Sequence, residues 1–70
     1  MPHIRIQMYP GRSEALKQAL AEKTRDFFAA EMNADAKYFS ISMEEVAPEN
    51  WKKDVEECIP EGTLYVESNF

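Results

Sequence analysis

Met1-Pro2-His3-Ile4-Arg5-Ile6-Gln7-Met8-Tyr9 opens the chain, and its reading decides the fold. Ile4, Ile6 and Met8 alternate with Arg5, Gln7 and Tyr9, the period of a strand with one face on the core. Pro2 shares the parity of the apolar set and sits at the strand's beginning, where its missing N–H disrupts the ladder least. Without Met1, Pro2 carries a free secondary amine, a group no internal residue supplies. A reference α-amino group titrates near ~7.7–8.0. Apolar walls or a neighbouring cation would therefore leave such an amine largely neutral at physiological pH and able to take a proton. A proline in second place is, by itself, more often incidental than catalytic, so its meaning depends on what surrounds it.

Working outward, Pro10-Gly11 stops the strand. Ser13 is placed to cap a helix that runs to about Met32, with Glu14 favourable to the dipole in its first turn. Leu16, Leu20, Thr24 and Phe27, joined by Ala19 and Ala30, form a stripe at helical spacing, with Phe28 to one flank. Lys17, Glu22, Lys23 and Asp26 fall largely outside it and read as a solvated face. Asn33 and Ala34–Lys37 close the helix. From Tyr38 to Val46, Phe39, Ile41 and Met43 alternate with Ser40, Ser42 and Glu44 as a second one-sided strand.

The pattern is β-α-β, and a helix of this length suits a right-handed crossover between parallel strands. After Ala47-Pro48, the segment Glu49–Ile59 reads as a short helix with Trp51, Val55 and Cys58 at compatible spacing. Pro60-Glu61-Gly62 breaks it, and Thr63-Leu64-Tyr65-Val66-Glu67 reads as a short edge strand suited to pairing with a neighbour. The expected fold class is thus α/β (α+β): two parallel strands, one long helix, a short second helix and a C-terminal edge strand in a single domain, 1–70.

A chain of 70 residues buries only roughly 60% of the surface its unfolded form exposes. Yet 44% of its residues are hydrophobic, and without disulfides or a metal the usual remaining support is oligomerisation. One helix on a two-stranded sheet also leaves the second sheet face for a partner. The net charge of −5 and pI near 4.7 argue against a nucleic-acid or anionic-membrane surface, since both demand clustered cations. Cys58 is the only cysteine, which excludes an intrachain disulfide and a Cys/His metal cluster and fits a reducing compartment. There is no apolar run of membrane-spanning length and no signal-peptide pattern at the N-terminus. These features give a cytoplasmic expectation.

Pro2, the strand Ile4–Tyr9, the Pro10-Gly11-Arg12-Ser13 turn into a helix, and a second strand ending before Pro48-Glu49-Asn50-Trp51 resemble the tautomerase superfamily, the 4-oxalocrotonate tautomerase-like proteins. Pro-His-Ile and Pro-Glu-x-Trp are closest to its short PptA-like branch. The resemblance covers about residues 2–52. It implies cofactor-free keto–enol tautomerisation of a small 2-keto or enol acid, with Pro2 as general base. Arg12 matches an arginine that holds a substrate carboxylate, to which a guanidinium fork is suited. Trp51 matches the aromatic wall of the proline pocket.

Ser40 departs from the pattern, because the prototype carries there an arginine that polarises the carbonyl. Hydroxyls of Ser40 and Ser42, Arg5, a backbone N–H or water are the candidates to replace it. The resemblance further implies sheet-against-sheet association of subunits, with a homodimer favoured and a hexamer as alternative. The competing functional reading is an oligomeric binding or structural module that keeps the fold without the chemistry. His3 reads as structural, Cys58 as an inert half-buried thiol, and Tyr9, Tyr38 and Tyr65 have no assigned role.

Overall fold

In the computed structural model, which describes residues 1–69, strand β1 (His3–Met8) leads to helix α1 (Glu14–Glu31) and strand β2 (Ser40–Glu45), followed by a short helix α2 (Trp51–Asp54). The strands pair in parallel with His3 opposite Ser40, Ile4 opposite Ile41 and Ile6 opposite Met43. The ladder runs one bond further at each end, from the Ser40 N–H to the Pro2 carbonyl at 3.2 Å and from the Val46 N–H to the Met8 carbonyl at 2.9 Å. This is the expected β-α-β unit. Gly11 takes φ 125° between β1 and α1, a value an L side chain adopts only under strain.

Both ends of α1 are closed by side chain or backbone. The Ser13 hydroxyl accepts the Leu16 N–H at 3.1 Å, satisfying one of the unpaired first-turn donors. At the other end Asn33 takes the left-handed region (φ 51°), with the Ala34 N–H bonded to the Ala29 carbonyl and the Asn33 N–H to that of Ala30. That pair of bonds is the Schellman closure. Ser13→Ala should cost about 1 kcal/mol. It should lower Tm by roughly 4–8 °C for a chain of this size, while Ser13→Asp stays near the parent; melting at one fixed protein concentration checks both.

The apolar sheet face carries the helix, since Phe39, Ile41 and Met43 share a groove with Lys17, Ala21 and Arg25 of α1. The seam therefore overlaps the expected stripe only in part, Ala19 and Thr24 being half-buried as expected. Lys17, Ala21, Thr24 and Arg25 are half-buried and Ala29 is buried, whereas Leu16, Leu20 and Phe27 are exposed. Lys17, expected on the solvated face, keeps only 13% of its side chain exposed and places its ammonium 2.7 Å from Glu14 and 3.5 Å from Glu45. Its hydrocarbon stem lies in the seam while the charge reaches water and carboxylates at the rim. Its pKa is raised chiefly by the hydrogen bond it donates to Glu14, against some loss of hydration.

Among the described residues the buried apolar set of the single chain is Ala29 and Phe39. The C-terminal edge strand does not form. Thr63–Glu67 holds no ladder, and Tyr65 and Val66 remain 93% and 87% exposed. A strand needs an adjoining edge to satisfy its N–H and C=O groups, and the Pro60 turn, tied by Thr63 Oγ1 to the Pro60 carbonyl at 2.6 Å, does not bring this segment to either strand. The expected helix over Glu49–Ile59 is also broken up, into 3-10 turns at Pro48–Asn50 and Glu56–Cys58 around the four residues of α2. Cys58 is exposed rather than half-buried; its thiol donates to the Lys53 carbonyl at 3.4 Å.

Candidate active site

Of the four residues singled out from sequence, two are in contact and two lie toward the far end of β1. At the start of β1, Pro2 is half-buried and its carbonyl accepts the Ser40 N–H. At the other end, Trp51 is half-buried with its ring edge-on to Tyr9, centroids 5.0 Å apart and planes at 89°, a favoured aromatic geometry. Arg12 follows Tyr9 by three residues, exposed, just ahead of the helix cap. Tyr9, which had no assigned role, thus fixes the indole. The six residues of β1, rising about 3.3 Å each, hold the two ends more than roughly 16 Å apart. Pro2 and Ser40 are brought together within one chain; Arg12 and Trp51 are not brought to them.

Met1 is 99% exposed and packs on nothing. While it is attached, the Pro2 nitrogen is an amide without basicity, and its removal costs no packing.

The sheet face away from α1 is polar. His3 Nδ1 lies 2.7 Å from Ser40 Oγ and His3 Nε2 lies 3.1 Å from Ser42 Oγ. Beside them Arg5 donates to Glu44 at 3.0 Å and Gln7 Nε2 donates to the same oxygen at 3.2 Å. Three of the candidates to replace the prototype's carbonyl-polarising arginine are therefore engaged: Arg5 by Glu44, and the Ser40 and Ser42 hydroxyls by His3. The hydrogen bond from Arg5 holds the Glu44 carboxyl below its ordinary range, partly opposed by loss of hydration. A carboxyl whose folded pKa is depressed adds stability above its unfolded pKa, and that stability is lost as pH falls through the folded value. For this solvent-exposed pair the contribution is small.

The unit is a β-α-β fold with Pro2 at the head of β1 and the Tyr9–Trp51 aromatic pair past its other end. Residues 2–56 match the Tautomerase family, described as Tautomerase enzyme, and the chain belongs to that family. It is 34% identical over 56 residues to Tautomerase PptA of Cronobacter sakazakii, covering 79% of this chain and 74% of that protein. It is 33% identical over 55 residues to a probable tautomerase of Xylella fastidiosa, covering 79% and 67%. Tautomerase PptA of Escherichia coli O127:H6 is 36% identical over 53 residues, covering 74% and 71%. The chain is a tautomerase, an isomerase of the short PptA-like branch. Membership implies a small-molecule substrate and assembly of several copies. No helix among the described residues is long and apolar enough to cross a membrane.

Proposed function

We propose that the enzyme interconverts keto and enol forms of a small 2-keto or enol acid, with the free amine of Pro2 as the single base that removes a proton and returns it at another atom. Arg12 holds the substrate carboxylate and Trp51 walls the apolar end. The observation that carries this reading is the pairing of a half-buried Pro2 at the head of β1 with a family match that begins at that residue.

Because Pro2 and Ser40 lie at one end of a chain and Arg12 and Trp51 at the other, the complete site forms between copies, with one protomer's Pro2 end against its partner's Arg12 end. A homodimer is the favoured assembly and a hexamer the alternative. That the described residues include only two buried apolar side chains supports obligatory association. The uncovered sheet face is polar, so the apolar area available to a partner includes Leu16, Leu20, Phe27 and Phe28 of α1 and Leu64, Tyr65 and Val66 of the C-terminal segment. Assembly sheet against sheet would bury the hydrogen-bonded polar face. The lone, exposed Cys58 suits a reducing cytoplasm.

Ser40 borders the base through its backbone. While its hydroxyl is bonded to His3, it still offers a lone pair or a proton to substrate according to the histidine tautomer.

With one firm cation, the site favours monoacids. A second carboxylate would meet Ser40 or the acidic Glu44–Glu45 end of β2, where repulsion and incomplete hydrogen bonding oppose it. An aryl end would instead lie on Trp51. kcat/KM is therefore expected to be higher for phenylenolpyruvate than for 2-hydroxymuconate, and Arg12→Ala should chiefly raise KM, the sign of lost uniform binding. Equal or reversed preference, with Arg12→Ala silent, would assign the carboxylate to another residue.

A further inference from the structure

An N-terminal proline is held less firmly than any other residue of a strand. Its ring closes one backbone rotation, no preceding peptide restrains it, and the direction of its nitrogen is then set by the one rotation left, about the bond to its carbonyl. Whatever fixes the plane of the Pro2–His3 peptide therefore fixes Cα and the axis about which the nitrogen turns, and the half-buried ring limits the turn itself. In this chain that plane is held on one side by the Ser40 N–H, bonded to the Pro2 carbonyl at 3.2 Å. On the other side is the His3 side chain, bonded to the Ser40 hydroxyl at 2.7 Å. Backbone and side chain close a ring through residues 2, 3 and 40.

The imidazole is suited to this place because it has polar nitrogens at two positions. Ser40 and Ser42 point to the same sheet face, two residues apart on β2, and only one of them stands directly opposite His3 in the register. Nδ1 meets Ser40 while Nε2 reaches on to Ser42 at 3.1 Å. Hydroxyls donate or accept, so both tautomers are satisfied. A second tie of this kind matters at the first rung of a two-stranded ladder, where fraying is otherwise easiest.

We propose that His3 is a positioning residue for the Pro2 base, acting through Ser40. The proposal rests on Pro2 being the base and goes beyond it by naming what aims the amine. His3→Ala should lower kcat roughly ten- to a hundredfold, the scale of a small misplacement of a reacting group, with KM changed by no more than about twofold, because neither carboxylate nor apolar contacts are touched. Hydrogen exchange at the Ser40 amide should accelerate in the same variant, a readout that needs no substrate. His3→Asn, whose terminal atoms fall where Nδ1 was, should recover both the rate and the protection. His3→Gln, which reaches toward Ser42 instead, should recover neither. Ser40→Ala, which also removes a hydroxyl facing substrate, should cost at least as much as His3→Ala, and adding His3→Ala to it should lower kcat no further.

Parent kcat and parent Ser40 exchange in His3→Ala would overturn the proposal, as would equal recovery by Gln and Asn or multiplying losses in the double variant. If Pro2→Ala keeps the parent rate, the base reading itself has failed. Rapid Ser40 exchange in His3→Ala would then mark the brace as purely structural, which also overturns the positioning role.

Discussion

Pro2→Ala is expected to lower kcat by about 10²–10⁴-fold, the usual contribution of a positioned general base, while leaving the melting curve close to the parent's. The two halves of that expectation come from different observations. The rate depends on the secondary amine, whose basicity and direction a primary alanine amine does not reproduce. The fold uses Pro2 through its carbonyl, which accepts the Ser40 N–H, and alanine keeps that carbonyl. Adding one residue ahead of Pro2 goes further, since it turns the nitrogen into an amide and should abolish proton transfer.

Retained Met1 has the same chemical consequence, so intact mass accompanies each assay: preparations lacking one methionine should be active and fully retained ones inactive. Parent rates on phenylenolpyruvate in both the alanine and the extended variant would mean that a different group moves the proton. The fold would then serve the binding or structural role that stands as the alternative.

The elements visible in sequence are those specified by local periodicity and local caps. β1 and β2 follow from alternation, and the helix ends from Ser13 and Asn33, each of which satisfies backbone groups within a few residues. What sequence concealed depends on distant contacts. α1 has apolar residues on more than one side, and periodicity does not say which side faces its own sheet. The seam falls on Lys17, Ala21, Thr24 and Arg25, and Lys17 can lie there because carboxylates meet its ammonium at the rim, Glu14 on its own helix and Glu45 on β2.

Thr63–Glu67 has strand composition, but strand formation is a property of a pair of edges, and the chain by itself supplies none to it. At the site, family resemblance named the residues while their separation required the register: His3 opposite Ser40 puts Pro2 at one end, and the Tyr9–Trp51 contact puts Trp51 at the other. The His3–Ser40 bond was available in principle from matching strand parity, once the parallel register was known.

That separation gives the second large effect, restoration of activity by mixing two defective chains. Pro2→Ala lacks the base but keeps Arg12 and Trp51; Arg12→Ala keeps the base but binds substrate poorly. If each site were built within one chain, no mixture of the two could contain an intact site, and activity would stay at the mean of the separate variants. If each site joins the Pro2 end of one protomer to the Arg12 end of its partner, a mixed pair has one site carrying both defects and one carrying neither. For isologous dimers pairing at random from equal amounts, half are mixed and half of their sites are intact, so kcat/KM should return to about one quarter of the parent value.

The two chains are unfolded and refolded together to allow exchange, and the rate is read at substrate well below the KM of Arg12→Ala, where that variant alone contributes least. A hexamer that shares sites in the same pairwise way gives the same recovery, so the result reads the sharing rather than the count. Recovery absent after exchange has been verified by mass would mean that residues nearer Pro2 in its own chain hold the substrate, and Arg12 would lose its assignment. Recovery near one quarter requires both the assembly and the placement of Arg12 across the subunit boundary, because neither alone regenerates an intact site.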